Sequence, residues 1–152
     1  MSTDTCPTSI TDMRINKDFT MSSQPHLSEM IIIGQPIELD CPSPKTGFAV
    51  VFEDDGKTGY FYGLDLENKK QPVLDSLLIY NVKDILDPNV SVQIDILWSE
   101  DGLKSRLTIN GFPHAVFDFE SRKAYCRTNL PRPDRRFTNS HQWSDEALDL
   151  FK

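Results

Sequence analysis

The sequence predicts an α+β domain, consisting mainly of an antiparallel β-sheet meander of about five to seven strands with one or two short helices. Three observations carry this prediction. Several segments alternate apolar and polar residues with a period of two, as half-buried strands do. Short turn signals separate these segments, and one amphipathic segment of helical period follows them near the C-terminus.

The first predicted hairpin is the segment GFAVVFEDDGKTGYFYGLDL, residues 47–66. Phe48, Val50 and Phe52 share one face of its first strand, and Tyr60 and Tyr62 share one face of its second strand. Between the strands, DDGKTG supplies Asp and Gly residues, which tolerate the positive φ angles of tight turns. The segment therefore predicts two antiparallel strands joined by a short bend.

Residues 53–56 of this hairpin, three acids followed by a glycine, have two interpretations, a calcium loop or a bend. A helix-loop-helix calcium site needs alternating oxygen ligands and flanking helices, whereas these acids are contiguous and lie between predicted strands. We interpret them as a bend. On this interpretation, exchanging both Asp54 and Asp55 for Asn should change stability little.

A short helical turn over residues 72–76 is predicted next, followed by a strand over residues 77–82, because the spacing of the apolar residues changes there. The segment SVQIDILW then places four large apolar residues on one face: Val92, Ile94, Ile96 and Trp98. KSRLTIN predicts a partner strand with one solvated side, and Asn110-Gly111 predicts a tight turn into HAVFDF. These three strands favour an antiparallel sheet.

The two ends of the chain differ in character. Residues 1–27 are rich in Ser, Thr and Asp without sustained periodicity, which predicts a poorly ordered extension, and residues 28–152 are predicted to form a single antiparallel-sheet domain. SDEALDLFK near the C-terminus predicts a short helix. No segment is typical of a signal peptide or a membrane span, so we expect a cytoplasmic protein without membrane contact.

The cysteines and histidines give little support for a metal, a cofactor or an enzyme. Their spacing matches neither a disulfide framework nor a zinc site, so we predict no metal and no cofactor. The nucleophile to consider is Cys126, with His114 or His141 as its base, in a hydrolase-type enzyme. We expect instead a domain without catalysis, with Cys126 as a small apolar residue near the sheet.

The charge of the chain narrows the classes of partner. Its 152 residues carry a net charge of −7, which disfavours binding to nucleic acid. A protein-interaction or ligand-binding domain fits better, and the alternative is an antidote, or immunity-type, protein that covers a basic toxin. Homo-oligomers are compatible with the sequence.

One stretch, residues 122–136, reverses this charge balance. It carries six basic residues and a single acid, Asp134, so its net charge is +5 against −12 for the rest of the chain. Arginine suits carboxylate and phosphate recognition, and nearby aromatic residues supply apolar anchors. The simpler interpretation is that these arginines pair with the chain's own acids. The alternative is a patch that binds a small anionic ligand or an acidic partner protein, formed by Tyr125, Arg127, Arg132, Arg135, Arg136, Phe137 and Trp143.

Three segments, VVFEDDGKTGYFYGLD, ILWSEDGLKSRLTINGFPHAVFDFE and YCRTNLPRPD, together resemble an uncharacterised family of small bacterial proteins, a domain of unknown function with an FEDDG-x-TGYFY hairpin. The resemblance covers residues 47–152. It implies a bacterial, cytoplasmic setting and one domain over this stretch, and it implies no catalytic residue or cofactor.

Overall fold

The computed structural model describes residues 25–85, 87, 90–128 and 141–151. Within these ranges the chain forms two β-sheets, and nearly all neighbouring strands are antiparallel, as predicted. The described residues form ten strands in two sheets, more than the five to seven strands of the predicted meander. The described ranges contain one α-helix of four residues, so the fold is closer to all-β than to α+β.

The ten strands are, in chain order, β1 Leu27–Ile32, β2 Ile37–Pro42, β3 Phe48–Asp54, β4 Thr58–Asp65, β5 Val73–Asn81, β6 Ser91–Trp98, β7 Lys104–Ile109, β8 Phe112–Asp118, β9 Lys123–Cys126 and β10 His141–Gln142. A 3₁₀-helix, Val82–Asp84, follows β5, and the helix α1, Glu146–Asp149, follows β10. The four-stranded sheet has the order β2-β3-β4-β5, and the six-stranded sheet has the order β10-β9-β8-β7-β6-β1. Strands β9 and β10 are parallel.

The core lies between the inward faces of the two sheets. Phe61 of the four-stranded sheet packs against Phe117 of the six-stranded sheet, with ring centroids 5.3 Å apart. Gly63 makes this approach feasible, because a Cβ atom there would lie 3.1 Å from the Phe117 ring. The Trp98 indole N–H donates to the Cys41 carbonyl at 3.2 Å and so joins the sheets by a buried hydrogen bond. The predicted apolar faces of β3, β6 and β8 all point into this core.

Residues 53–56 lie where β3 ends and the bend into β4 begins, as predicted, but Asp54 and Asp55 differ in environment. The exposed Asp55 side chain accepts the N–H groups of Lys57 and Thr58 and so shapes the turn. Asp54 is 1% exposed. Its carboxylate accepts hydrogen bonds from the Gly34 N–H, the Gly56 N–H and the Tyr80 hydroxyl. The expectation that Asp54 can be neutralised at little cost is therefore wrong.

The prediction of a helical turn over residues 72–76 is also wrong, because β5 begins at Val73 and continues to Asn81. This segment pairs with β4, with Asp75 opposite Gly63. Pairing with a distant strand outweighs the local helical spacing. It places the buried Asp75 carboxylate 2.6 Å from Nε2 of His141, which is fully buried.

The outer face of the six-stranded sheet is partly covered, whereas the sequence predicted a solvated side for β7. Leu97 and Val116 point away from the main core and are nevertheless buried. The Arg106 guanidinium lies under the Phe151 ring at 5.0 Å, and burial lowers the Arg106 pKa. Ala147 of α1 is fully buried. The C-terminal segment therefore packs on this face.

The turn between β7 and β8 agrees with the sequence prediction. Asn110 and Gly111 both have positive φ angles, 51° and 79°, as a two-residue type I′ turn requires. Phe112 follows this turn directly and is 53% exposed. The tight turn thus fixes an exposed aromatic ring at the end of the hairpin.

The predicted extension, residues 1–27, lies outside the described residues except for its last three positions, and Leu27 begins β1. Among the described residues, no helix has the length and apolar character that a membrane crossing requires.

Replacing Asp54 by Ala should lower the free energy of unfolding by at least about 3 kcal/mol, because three donors would lose their acceptor in a buried site. Asp55→Ala is the matched control, since it removes a neighbouring acid that is exposed. It should lower the free energy of unfolding clearly less than Asp54→Ala does. Urea unfolding of both variants measures the difference. Equal losses would contradict a special role for Asp54.

Candidate functional site

The structure describes three of the seven residues predicted for the basic patch: Tyr125, Arg127 and Trp143. The other four lie outside the described residues: Arg132, Arg135, Arg136 and Phe137. All three described residues belong to the end of the six-stranded sheet where β9 and β10 pair.

Arg127 and Trp143 are in direct contact. The guanidinium carbon of Arg127 lies 3.8 Å from the centroid of the Trp143 ring and 4.6 Å from the centroid of the Phe112 ring. The Nε atom donates to the Pro113 carbonyl at 3.0 Å, and the Arg127 backbone N–H donates to the His114 carbonyl. These contacts fix the guanidinium against two aromatic rings. We call Phe112, Arg127 and Trp143 the arginine cluster.

The sequence reasoning missed Phe112 and His114 as members of this region. The His114 ring lies edge-on to Phe112 with centroids 5.4 Å apart, and burial, together with the Arg127 charge, lowers the His114 pKa. A signal existed in NGFPH, where an aromatic residue directly follows the two central residues of a tight turn. Its proximity to Arg127 depends on the pairing of β8 with β9.

Tyr125 lies in β9, two residues before Arg127, which directly follows this strand. It pairs with Val116, and burial, together with the charges of Asp118 and Glu146, raises its pKa. It therefore faces acids near α1, and the contacts of the arginine cluster do not include it.

The geometry around Cys126 does not favour the hydrolase-type alternative. Cys126 is 1% exposed, and its thiol lies 3.2 Å from the Leu78 carbonyl and 3.3 Å from the Thr128 hydroxyl. It points into the core, whereas His114 contacts Phe112 on the outer face. His141 Nε2 is engaged by Asp75. A substrate would have to reach a buried thiol to react with it.

A second surface is the outer face of the four-stranded sheet. Five of its side chains define what we call the tyrosine face: Glu38, Asp40, Glu53, Tyr60 and Tyr62. The rings of Tyr60 and Tyr62 stack with centroids 5.7 Å apart, and the Tyr62 hydroxyl donates to Glu53 at 3.3 Å. Burial, with the Glu53 charge, raises the pKa of Tyr62 to about 12. The Tyr62 hydroxyl therefore stays protonated at physiological pH, and the two stacked rings form an aromatic platform.

The carboxylates beside this platform repel one another. Glu38 lies directly opposite Glu53 across the β2–β3 pair, an arrangement that destabilises a sheet. A hydrogen bond with Asp40 and the Asp40 charge raise the pKa of Glu38, and the Glu53 charge adds to the effect. Among the described residues, no lysine or arginine forms an ion pair with these three acids. The tyrosine face is therefore a source of uncompensated negative charge.

A metal centre finds no support in the part of the chain that is described. No group of three or more His, Cys, Asp or Glu side chains among these residues is arranged to hold a metal ion. Cys41 and Cys126 are both buried, and neither is part of a disulfide bond.

Comparisons with known proteins place the chain in a family. A curated relative from Haemophilus influenzae, described as "Uncharacterized protein", is 41% identical over 109 residues, which cover 71% of this chain and 68% of that protein. No solved structure matches the chain. A family model matches residues 31–152, beginning sixteen positions before residues 47–152, the stretch that the sequence resemblance covers. The chain belongs to the bacterial family described as "Uncharacterized protein conserved in bacteria (DUF2251)".

Proposed function

We propose that this protein is an interaction domain without catalysis whose tyrosine face binds a cationic surface of a partner protein. The observation that carries the proposal is the placement of Glu38 directly opposite Glu53, beside the stacked rings of Tyr60 and Tyr62. The fold tolerates this repulsion without a described cation to offset it. A lysine or arginine side chain of a partner would relieve it.

The chemistry of the tyrosine face matches such a partner. The faces of aromatic rings attract cations, and arginine in particular stacks on them. Carboxylates next to the rings would accept hydrogen bonds from the same cation. The combination of stacked aromatic rings with acids beside them therefore suits a guanidinium or ammonium group.

The accessibility of the tyrosine face also supports the proposal. Glu38 and Asp40 are exposed, and Glu53, Tyr60 and Tyr62 are partly exposed. The outer face of the other sheet differs, because Phe151 of the C-terminal segment packs on Arg106 there and because Leu97 and Val116 on that face are buried. Among the described residues, the tyrosine face is less covered than the outer face of the six-stranded sheet.

The class of partner includes the basic toxin of the antidote alternative. An acidic antidote would cover a cationic surface and would associate faster at low ionic strength. We therefore treat the antidote as one instance of the proposed interaction, in which the bound cations belong to a toxin domain.

The repulsion itself can be measured by replacing Glu38 with Gln. The raised pKa means that the folded state binds a proton at Glu38 more readily than the unfolded state does. Protonation of Glu38 therefore stabilises the folded state at low pH, and this stabilisation is lost as the pH rises through the folded pKa. Glu38→Gln should therefore raise the melting temperature at pH 7, and the gain should shrink as the pH falls towards 4. Glu29→Gln, in the exposed part of β1, is the control. A melting temperature lowered at pH 7 would contradict uncompensated repulsion.

Binding of a basic partner to the tyrosine face can be tested by immobilising the protein and recovering its partners from a lysate of the organism that produces it. Neutralising the tyrosine face with Glu38→Gln, Asp40→Asn and Glu53→Gln should abolish retention of a basic partner. The matched control, Glu29→Gln with Glu67→Gln and Glu100→Gln, removes three exposed acids elsewhere and should retain it. A partner that binds both triple variants equally, or one whose binding surface is acidic, would refute the proposal.

The tyrosine platform can be tested separately in the same experiment. Tyr60→Ser with Tyr62→Ser removes both rings and should weaken retention of the partner. Tyr60→Phe with Tyr62→Phe keeps the rings and loses only the hydroxyl groups, so it should retain the partner if cation–π attraction contributes.

A further inference from the structure

We infer that the arginine cluster is a separate binding site for a carboxylate monoanion carried on an apolar or aromatic group. The inference does not depend on the tyrosine face, which lies on the outer side of the other sheet. It rests on the donors that Arg127 leaves unused, on the way its guanidinium is held and on the charge around it.

The unused donors define the geometry of the site. A guanidinium has five N–H groups, and the Nε group of Arg127 is bonded to the Pro113 carbonyl. No described residue accepts a hydrogen bond from the two terminal nitrogens, Nη1 and Nη2. The side-on fork, which needs Nε, is thus committed, and the end-on fork remains for a ligand. A planar carboxylate fits such a fork with two parallel hydrogen bonds.

The guanidinium is held in place before a ligand arrives. The Trp143 ring at 3.8 Å, the Phe112 ring at 4.6 Å and the bond to Pro113 restrict its orientation. Binding therefore needs little ordering of the arginine side chain, which lowers the entropic cost of association. Phe112 is 53% exposed, so it offers apolar surface to the group that carries the carboxylate.

The charge of the cluster favours a monoanion over a phosphate dianion. Arg127 supplies one positive charge. The lowered pKa of His114 keeps this neighbour neutral at pH 7. The indole N–H of Trp143 donates to the Asp145 carboxylate at 3.0 Å, which adds a negative charge close by. Asp145 would repel a dianion, and Arg127 is the single cation of the cluster that could offset its two charges.

The test is an NMR titration of the full chain with phenylacetate, its neutral isostere phenylacetamide and inorganic phosphate. Phenylacetate should shift the Arg127 Nε–H, Trp143 indole N–H and Phe112 amide resonances with a dissociation constant on the order of millimolar. Phenylacetamide should not shift the Arg127 resonance, and phosphate should bind more weakly than phenylacetate.

Two variants complete the test. Arg127→Lys keeps the charge but loses the fork, so it should weaken phenylacetate binding about tenfold. Lys123→Ala removes one exposed charge from β9, the strand that precedes Arg127, and should leave binding unchanged. Equal binding of phenylacetamide and phenylacetate by the wild-type protein overturns the inference whether or not the variants fold. Phosphate binding as tight as that of phenylacetate overturns the assignment to a carboxylate, and full binding by Arg127→Lys overturns the role of the fork.

Discussion

The hydrogen bonds of the buried Asp54 carboxylate hold together the part of the two-sheet structure where the chain passes between the sheets. It joins three segments: the connection after β1 through Gly34, the β3–β4 bend through Gly56, and β5 through Tyr80. The first of these segments carries the chain from the six-stranded sheet into the four-stranded sheet. The buried carboxylate accepts hydrogen bonds from all three donors, which would otherwise be buried without a partner at a cost in folding free energy. Asp54 therefore has a structural role.

The same packing decides which surfaces remain available for recognition. Gly59 and Gly63 let the Tyr80 and Phe117 rings approach β4 from the inward side, where a Cβ atom would lie within 3.1 Å of either ring. The other side of β4 then carries Tyr60 and Tyr62 outward. On the six-stranded sheet the C-terminal segment covers the middle of the outer face, and the arginine cluster lies at one end of that face. The tyrosine face, with its three acids, and the arginine cluster, with its one cation, therefore lie on different sheets.

Local patterns predict those features that depend on neighbours in the sequence. The period-two alternation identifies the inward faces of β3, β6 and β8, and the Asn110-Gly111 pair predicts its turn. The same alternation, continued from Phe48, Val50 and Phe52, puts position 54 on the inward face. The alternation therefore distinguishes a buried Asp54 from an exposed Asp55, whereas the interpretation of residues 53–56 as a bend treats the two acids alike.

Features that depend on pairing between distant segments could not be predicted in this way. Residues 72–76 have helical spacing, and only the partner strand β4 makes them a strand. The opposition of Glu38 and Glu53 depends on the register of β2 against β3, which the intervening residues do not specify locally. The contact of Phe112 with Arg127 likewise requires β8 and β9 to be neighbours. The number of sheets was missed for the same reason.

The most direct test of the central claim, that the tyrosine face is the open, cation-binding surface of this domain, is an NMR titration with an octa-arginine peptide at low and moderate salt. The ring resonances of Tyr60 and Tyr62 and the amide resonances of Glu38, Asp40 and Glu53 should shift first and saturate together, with weaker binding as salt increases. Shifts spread evenly over exposed acids such as Glu29, Glu67 and Glu100, or centred on them, would contradict the claim.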